Sequence, residues 1–256
     1  MRAGLFEIGG LVTKQQIYPA MEWTPERIAR FWDWQALYPE EYFTYQFGHE
    51  IVSSLKQYLK GRQKILDYGC GVGYLLPHLC RCAPEVYGTD PSKQSIAHAE
   101  KYAAGTPGFR GAFLLSELHK RNEKFDAILV IEVIEHLFDA ELEMVFADMH
   151  KLLAPGGVVI FSTPNNEDLS KSMILDPVSG ETFHRWQHVR NWNAESLSSA
   201  LRKKNFEIVR IIETNMSVPK GKAPLVLLKR FVKRMLFGNP VAPHLVCVAS
   251  ALPKGR

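Results

Sequence analysis

Cysteine is scarce: four of 256 residues, Cys70, Cys80, Cys82 and Cys247, with no C-x-x-C pair among them. That argues against both a thiolate zinc site and a disulfide framework. Long hydrophobic runs are missing too, and no stretch approaches the ~18 apolar residues of a membrane span. No internal repeat or low-complexity tract is present, so a solenoid or a compositionally disordered chain is not indicated. The opening "MRAGLFEIGGLVTK" carries one early arginine and an apolar stretch interrupted by glycines, a poor secretory signal, so a cytoplasmic protein is expected. Acidic residues are absent from Val218 onward, where Lys220, Lys222, Lys229, Arg230, Lys233, Arg234, Lys254 and Arg256 lie. The net charge of +4 therefore divides into −4 on residues 1–217 and +8 on the remainder. A basic appendage on an acidic body implies an anionic partner for the appendage alone.

What is present is an average soluble composition, 46% hydrophobic and 23% charged, in a chain long enough for one α/β domain with additions. The first sixty residues read as a helical cover. In "WTPERIARFWDWQAL", Thr24 is the expected N-cap and Pro25 the first helical residue; "FGHEIVSSLKQYLKG" reads as a second helix stopped by Gly61. From 61 to 215 the pattern changes to a core of short apolar runs, "KILDY", "EVYGTD", "GAFLL", "DAILVI", "GVVIFST" and "FEIVRIIE", mostly separated by helix-length segments. A basic helical insert at 216–243 and a last strand with tail at 244–256, beginning "HLVCVAS", complete the single domain. Strands that are apolar throughout and separated by helices predict a doubly wound, mainly parallel α/β sheet with helices on both faces. Ligands then sit at the carboxyl ends of the strands, near the switch in strand order.

At that position "KILDYGCGVGYLLPHL" places a glycine turn, Gly69, Gly71 and Gly73, directly after the first strand. Glycines suit a turn that needs φ > 0 and lets a ligand approach without a Cβ in the way. A pyrophosphate site would use G-x-G-x-x-G and would keep carboxylates away. Here the spacing is G-x-G-x-G, and Asp67 stands two residues before it. A carboxylate there suits a ligand that is cationic at that point, such as S-adenosylmethionine, with its ammonium and sulfonium groups and no phosphate. The second strand ends in Asp90, where an acidic side chain can accept from both hydroxyls of an adenosine ribose.

In this order, "LDYGCGVG", "YGTD", "FDAILVIEVIEHL" and "LLAPGGVVIFSTPN", the motifs resemble the class I S-adenosylmethionine-dependent methyltransferases over about residues 40–215. The resemblance implies a Rossmann-like seven-stranded sheet whose last strand is antiparallel. It also implies that Asp67, Gly69, Gly71 and Gly73 surround the methionine part of the cofactor and that Asp90 holds the ribose. Ser116, Glu117 and Leu118 would flank the adenine, and Ile131 and Glu132 would border the methyl-donor pocket. "YFTYQFG", Tyr42 to Gly48, lies where relatives place a helical cover over the cofactor, and most of its aromatics read instead as packing of the N-terminal helices onto the sheet.

Methyl transfer needs in-line placement and an acceptor that has lost, or is losing, its proton. In "IEVIEHL", Glu132, Glu135 and His136 stand at i, i+3 and i+4, so on a helical turn they would point to one side. With His188 from "ETFHRWQHVRNW" they make a candidate site for Mg²⁺ or Mn²⁺ that would lower the pKa of an acceptor hydroxyl. The cluster resembles those of the small-RNA 3′-end ribose 2′-O-methyltransferases and the ubiquinone-biosynthesis O-methyltransferases. In a metal-free site, His136 or His188 is the candidate catalytic base. Arg185, Trp186, Arg190 and Trp192 interleave cations with aromatics, either as a face that stacks on an acceptor or as a packed loop.

Within the insert, Leu225, Leu228, Val232 and Met235 repeat at helical spacing opposite Lys229, Arg230, Lys233 and Arg234. Such a helix at 220–236 suits an anionic membrane surface, making the protein peripheral, or packs on the domain or a second subunit. The expected reaction is O-methylation of a hydroxyl on a small-molecule or glycan-like acceptor. RNA ribose methylation and quinone-precursor O-methylation are the alternatives within catalysis, and a cofactor-binding regulatory subunit is the non-enzymatic one.

Overall fold

A computed structural model describes residues 18–217 and 242–252. The amphipathic basic helix expected at 220–236 lies outside the described residues. Among them, no helix is long and apolar enough to cross a membrane.

Helix α1, Pro25–Gln35, starts as its sequence predicts: the Thr24 side chain accepts from the Arg27 amide at 3.3 Å, and Pro25, which has no N–H to satisfy, opens the helix. Helix α2, Phe43–Leu59, begins four residues before the expected "FGHEIVSS" start and breaks at Phe47, whose φ is −129°. "YFTYQFG" thus forms its N-terminal turns. Its second half buries Ile51, Val52, Leu55 and Leu59 against one face of the sheet.

The strands are β1 Lys64–Tyr68, β2 Glu85–Asp90, β3 Phe109–Leu114, β4 Phe125–Ile131, β5 Leu153–Pro164, a short hairpin of β6 Met173–Leu175 with β7 Thr182–His184, then β8 Phe206–Thr214 and β9 His244–Ala251. Seven of them form one sheet in the order β3-β2-β1-β4-β5-β9-β8. The first five neighbours pair in parallel, and β9 enters antiparallel between β5 and β8. Alternate residues serve opposite layers, as the two-residue period of a strand requires: Leu66, Ile128 and Val130 pack on one face, Ile65, Leu129 and Ile131 on the other. Between strands run α3 Leu76–Leu79, α4 Lys93–Ala103, α5 Leu115–Leu118, α6 Asp139–Leu152 and α7 Ala194–Lys203.

Two local features do not follow from the sequence pattern. The helix after the glycine turn spans only Leu76–Leu79, with Pro77, which has no N–H, in its first turn, and beyond it the chain tightens as the Cys82 amide bonds Leu79 O at 2.7 Å. The β6–β7 hairpin went unread, since each strand is three residues long and β6 is solvent-exposed throughout, which leaves no alternation to detect. The chain winds from β1 out to β3 and returns on the other side at β4, so a crevice opens at the carboxyl ends of β1 and β4.

Candidate active site

The glycine turn leaves β1 with Gly69, Gly71 and Gly73 all at positive φ, 75°, 52° and 86°. Their reasons differ. A Cβ on Gly73 would lie 2.8 Å from the Ala99 backbone, and one on Gly69 would lie 2.7 Å from Val133 Cγ2, so both glycines permit close packing. A Cβ on Gly71 would meet only Tyr42 Cε1, at 3.8 Å. Gly71 is the glycine that faces open space, and α2 supplies its roof through Tyr42, which packs edge-on to Tyr74.

Asp67 and Asp90 flank this turn. Asp67 is 3% exposed, and none of the described residues donates a hydrogen bond to it. Burial, reinforced by the neighbouring Asp90, pushes its carboxyl up to about 7. Asp90 receives the Gly71 amide at 3.0 Å and the Ser92 amide at 2.9 Å, and burial outweighs these bonds to raise it to about 6. Two buried carboxylates, one without a donor, form an electron-rich cradle that a cation would neutralise.

At the end of β4, Val133 seats against Gly69, which brings the "EVIEHL" segment beside the turn. This segment is not helical, contrary to the i, i+3, i+4 expectation. Glu132 takes φ 52°, a left-handed conformation unusual for glutamate, and its amide bonds Ser162 O at 3.1 Å and Ser162 Oγ at 3.2 Å. Ser162 Oγ donates back to Glu132 Oε1 at 2.7 Å. Glu132 is thereby tied to β5 and kept out of the group formed by its neighbours. Burial raises its carboxyl to about 7 despite the serine bond.

Glu135, His136 and His188 do converge, each offering a ligand atom within 4.8 Å of the others. Glu135 is 1% exposed and neither of its oxygens has a hydrogen-bond partner; the buried Thr163 hydroxyl sits beside it without closing a bond. Burial, and then the nearby Glu132, hold this carboxyl well above the usual range. His136 Nδ1 is likewise buried without a partner, and burial followed by the adjacent His188 pushes its imidazole down to about 3. Its rings stack edge-on with His188 at 4.9 Å and with Trp32 of α1 at 4.8 Å. A neutral imidazole and an unsatisfied carboxylate together are a donor set suited to a borderline or hard divalent cation.

The segment carrying His188 docks directly on the β4 loop. Val189 N donates to Glu135 O at 2.9 Å, and Arg190 Nε to Leu137 O at 2.8 Å. Gln187, at φ 58°, bridges the Trp32 indole at 3.1 Å and His136 O at 3.0 Å. Trp192 is buried and its indole N–H reaches Ile134 O at 3.4 Å. The cation-and-aromatic face read from "HRWQHVRNW" is in part a packed loop: Arg190 and Trp192 hold backbone carbonyls, while Arg185 over Trp186, 4.7 Å from its ring centroid, and Arg190 over Trp192, 5.6 Å from its own, keep the stacked arrangement.

Residues 39–211 match the family of methyltransferase domains. The chain belongs to that family. Its sheet order is that of the class I, S-adenosylmethionine-dependent methyltransferases. Among curated relatives, the ubiquinone biosynthesis O-methyltransferase of Rhizobium etli (strain CIAT 652) is 32% identical over 153 residues, 57% of this chain and 60% of that protein. The protein of the same name from Azorhizobium caulinodans is 37% identical over 142 residues, 55% and 53% of the two chains. This chain thus spans little more than half the length of the curated relatives it matches. Among solved structures, the DhpI–SAH complex superposes with a TM-score of 0.59 at 17% identity, covering 88% of this chain and 96% of that one. The methyltransferase domain of bacterial CtHen1-C gives 0.54 at 22% identity, covering 81% and 98%. At these identities the likeness concerns the fold alone.

The methyltransferase domain fits S-adenosylmethionine on its own geometry: the donorless Asp67, the Cβ-free face of Gly71 and Asp90 at the end of β2 match an ammonium, a close backbone approach and a ribose. Of the residues expected beside the adenine, Glu117 turns its carboxylate back to the Leu114 amide at 3.3 Å, and Leu118 is fully buried in the core. Ile131 is buried at the end of β4. Reasoning from sequence missed Glu167, whose Oε2 lies 2.5 Å from His188 Nδ1 and whose Oε1 lies 3.5 Å from His184 Nε2. A usable signal was the Asn165-Asn166 pair after β5, since Asn166 takes φ 53° and turns the chain back toward the histidines.

Proposed function

We propose that this chain is an S-adenosylmethionine-dependent O-methyltransferase that acts on a small acceptor bearing adjacent oxygens, with a divalent cation held by Glu135, His136 and His188. The observation that carries the cation is Glu135, a buried carboxyl with no hydrogen bond to either oxygen, its Oε1 3.8 Å from His136 Nε2 and a second imidazole beside it. Leaving such a group unsatisfied costs several kcal/mol, about the penalty of an uncompensated buried charge. The cofactor supplies a methyl group made electrophilic by its sulfonium. A divalent cation supplies Lewis acidity toward a hydroxyl presented to it.

The chain's own residues do the rest. Asp67 neutralises the ammonium of the amino-acid part, Asp90 accepts from the ribose hydroxyls, and Gly71 admits the chain between them. Trp32, Phe31, Trp23 and Phe183 form a continuous series of edge-to-face rings running from the hairpin to His136, a wall suited to a planar acceptor. The relatives named as ubiquinone biosynthesis O-methyltransferases support O-methylation of a quinone precursor on that wall.

The test is transfer of labelled methyl from S-adenosylmethionine to a simple catechol, measured with Mn²⁺, with Mg²⁺ and in EDTA. A rate that collapses in EDTA and returns with either cation is the expected result. Equal rates in EDTA, or labelling of an amine in preference to the catechol, would overturn the reading.

A further inference from the structure

His188 is held on its Nδ1 side by a group that no motif contains. Glu167 follows Asn165 and Asn166 off the end of β5. Asn165 is anchored by its amide to Pro243 O at 2.9 Å and by its side chain to Ala242 O at 3.0 Å. Asn166 donates to Trp192 O at 2.7 Å and turns the chain at positive φ. The Glu167 carboxylate then meets two stacked imidazoles, His184 and His188, whose centroids are 4.5 Å apart with ring planes 19° from parallel.

The hydrogen bonds assign the protons. His184 Nδ1 accepts from the amides of Trp186, at 3.3 Å, and His188, at 3.2 Å, so it carries a lone pair. The His184 proton is therefore on Nε2, on the side where Glu167 Oε1 stands at 3.5 Å. That contact is an ion-pair distance and not a formed hydrogen bond, and it braces the carboxylate from its other oxygen. Glu167 Oε2 is an acceptor 2.5 Å from His188 Nδ1, which places the His188 proton there as well.

The geometry points to Glu167 as a positioning residue that, braced by His184, holds the proton of His188 on Nδ1 and so leaves Nε2 as the lone pair available to the Glu135–His136 group. A carboxylate behind a histidine in this way fixes both its tautomer and its ring orientation. The inference rests on the proposed cation site for its consequence, but the tautomer itself can be observed without any cation.

The experiment uses the full chain, ¹⁵N-labelled and stripped of metal, at pH 7.5. Long-range imidazole ¹H–¹⁵N spectra report the His188 tautomer, and calorimetry reports Mn²⁺ affinity, in the wild type, Glu167→Ala and Glu167→Asp. S-adenosylhomocysteine affinity, which depends on the other end of the crevice, serves as the fold control. We expect Nδ1–H on His188 in the wild type, loss of that preference in Glu167→Ala with Mn²⁺ affinity about 10–100-fold weaker, and partial recovery in Glu167→Asp. If Glu167→Ala does not fold, the wild-type spectrum still decides. A wild-type His188 carrying Nε2–H, or an unchanged Mn²⁺ affinity in a folded Glu167→Ala, would overturn the assignment. So would complete loss of Mn²⁺ in Glu167→Ala with the tautomer intact, which would make Glu167 a ligand alongside His184 and His188. A wild type that binds no Mn²⁺ yet shows Nδ1–H would sink the cation reading and uphold the role of Glu167.

Discussion

Asp67 should make cofactor binding and protein stability respond to pH in opposite directions. Its carboxyl sits near 7 in the folded protein, raised from 3.8 by burial and then by Asp90. An ammonium placed against it favours the ionised form, so below pH 7 binding must expel a proton. The apparent affinity for S-adenosylhomocysteine should then fall by about 10-fold at pH 6 and about 100-fold at pH 5 relative to pH 8 and above, since each pH unit below the free pKa corresponds to ~1.4 kcal/mol. Stability of the ligand-free protein runs the other way. A carboxyl whose folded pKa lies above its unfolded value binds its proton more tightly when folded, so stability declines as pH rises from about 4 to about 7. For a fully buried group shifted about three units, that decline is on the order of 4 kcal/mol. Asp67→Asn removes both slopes while keeping the side chain's shape: binding becomes weaker at pH 8 and nearly flat, and the variant is more stable than the wild type at pH 8. The assay is calorimetric titration of S-adenosylhomocysteine between pH 5 and 8 in buffers of different ionisation enthalpy, which counts released protons directly, with urea unfolding of the ligand-free proteins alongside. A flat wild-type affinity across that range, or an Asp67→Asn variant that keeps the wild-type slope, would refute the pairing of Asp67 with the ammonium.

Glu135→Gln should abolish Mn²⁺ binding and yet, in EDTA, raise the melting temperature increasingly as pH rises, because glutamine cannot ionise where burial disfavours a carboxylate that accepts no hydrogen bond; a drop in stability in EDTA at high pH would mean that the charge is satisfied in solution. Gly71→Ala should leave the melting temperature within a few degrees, its strain from positive φ amounting to about 1 kcal/mol, while S-adenosylhomocysteine binding is lost. Gly73→Ala should instead destabilise markedly, since its Cβ would press on the Ala99 backbone; thermal unfolding of the two variants side by side separates cradle from packing. Trp32→Phe removes the indole donor to Gln187 and should weaken Mn²⁺ binding severalfold with little change in cofactor affinity, which calorimetry with each compound resolves.

The parts of the site that were legible in the sequence share one property: a local pattern determines them. Asp67, the three glycines and Asp90 lie at strand ends and in a tight turn, so strand limits read from apolar runs place them within a residue of where they stand, and β1 and β2 begin and end as expected. Glu132 shows where this fails. Its spacing from Glu135 and His136 fits a helical face, but the backbone is diverted to a left-handed conformation because Ser162, thirty residues later in β5 and paired with the preceding Ile131, offers the amide two acceptors and the carboxylate a donor. No short-range pattern contains that competition. The same holds for the docking of residues 187–192, where the backbone amides of Val189 and Arg190 bond to Glu135 O and exclude the helix that would have aligned all three side chains. Glu167 is the extreme case, a surface-type residue after an Asn-Asn turn that meets the two imidazoles through the anchoring of Asn165 to Ala242 and Pro243, just before β9. Local pattern therefore specifies the cradle for the cofactor, where strand and turn are sufficient. Long-range pairing specifies the donor set beside it, so the residues that decide whether a cation binds are those whose partners lie farthest away in the chain.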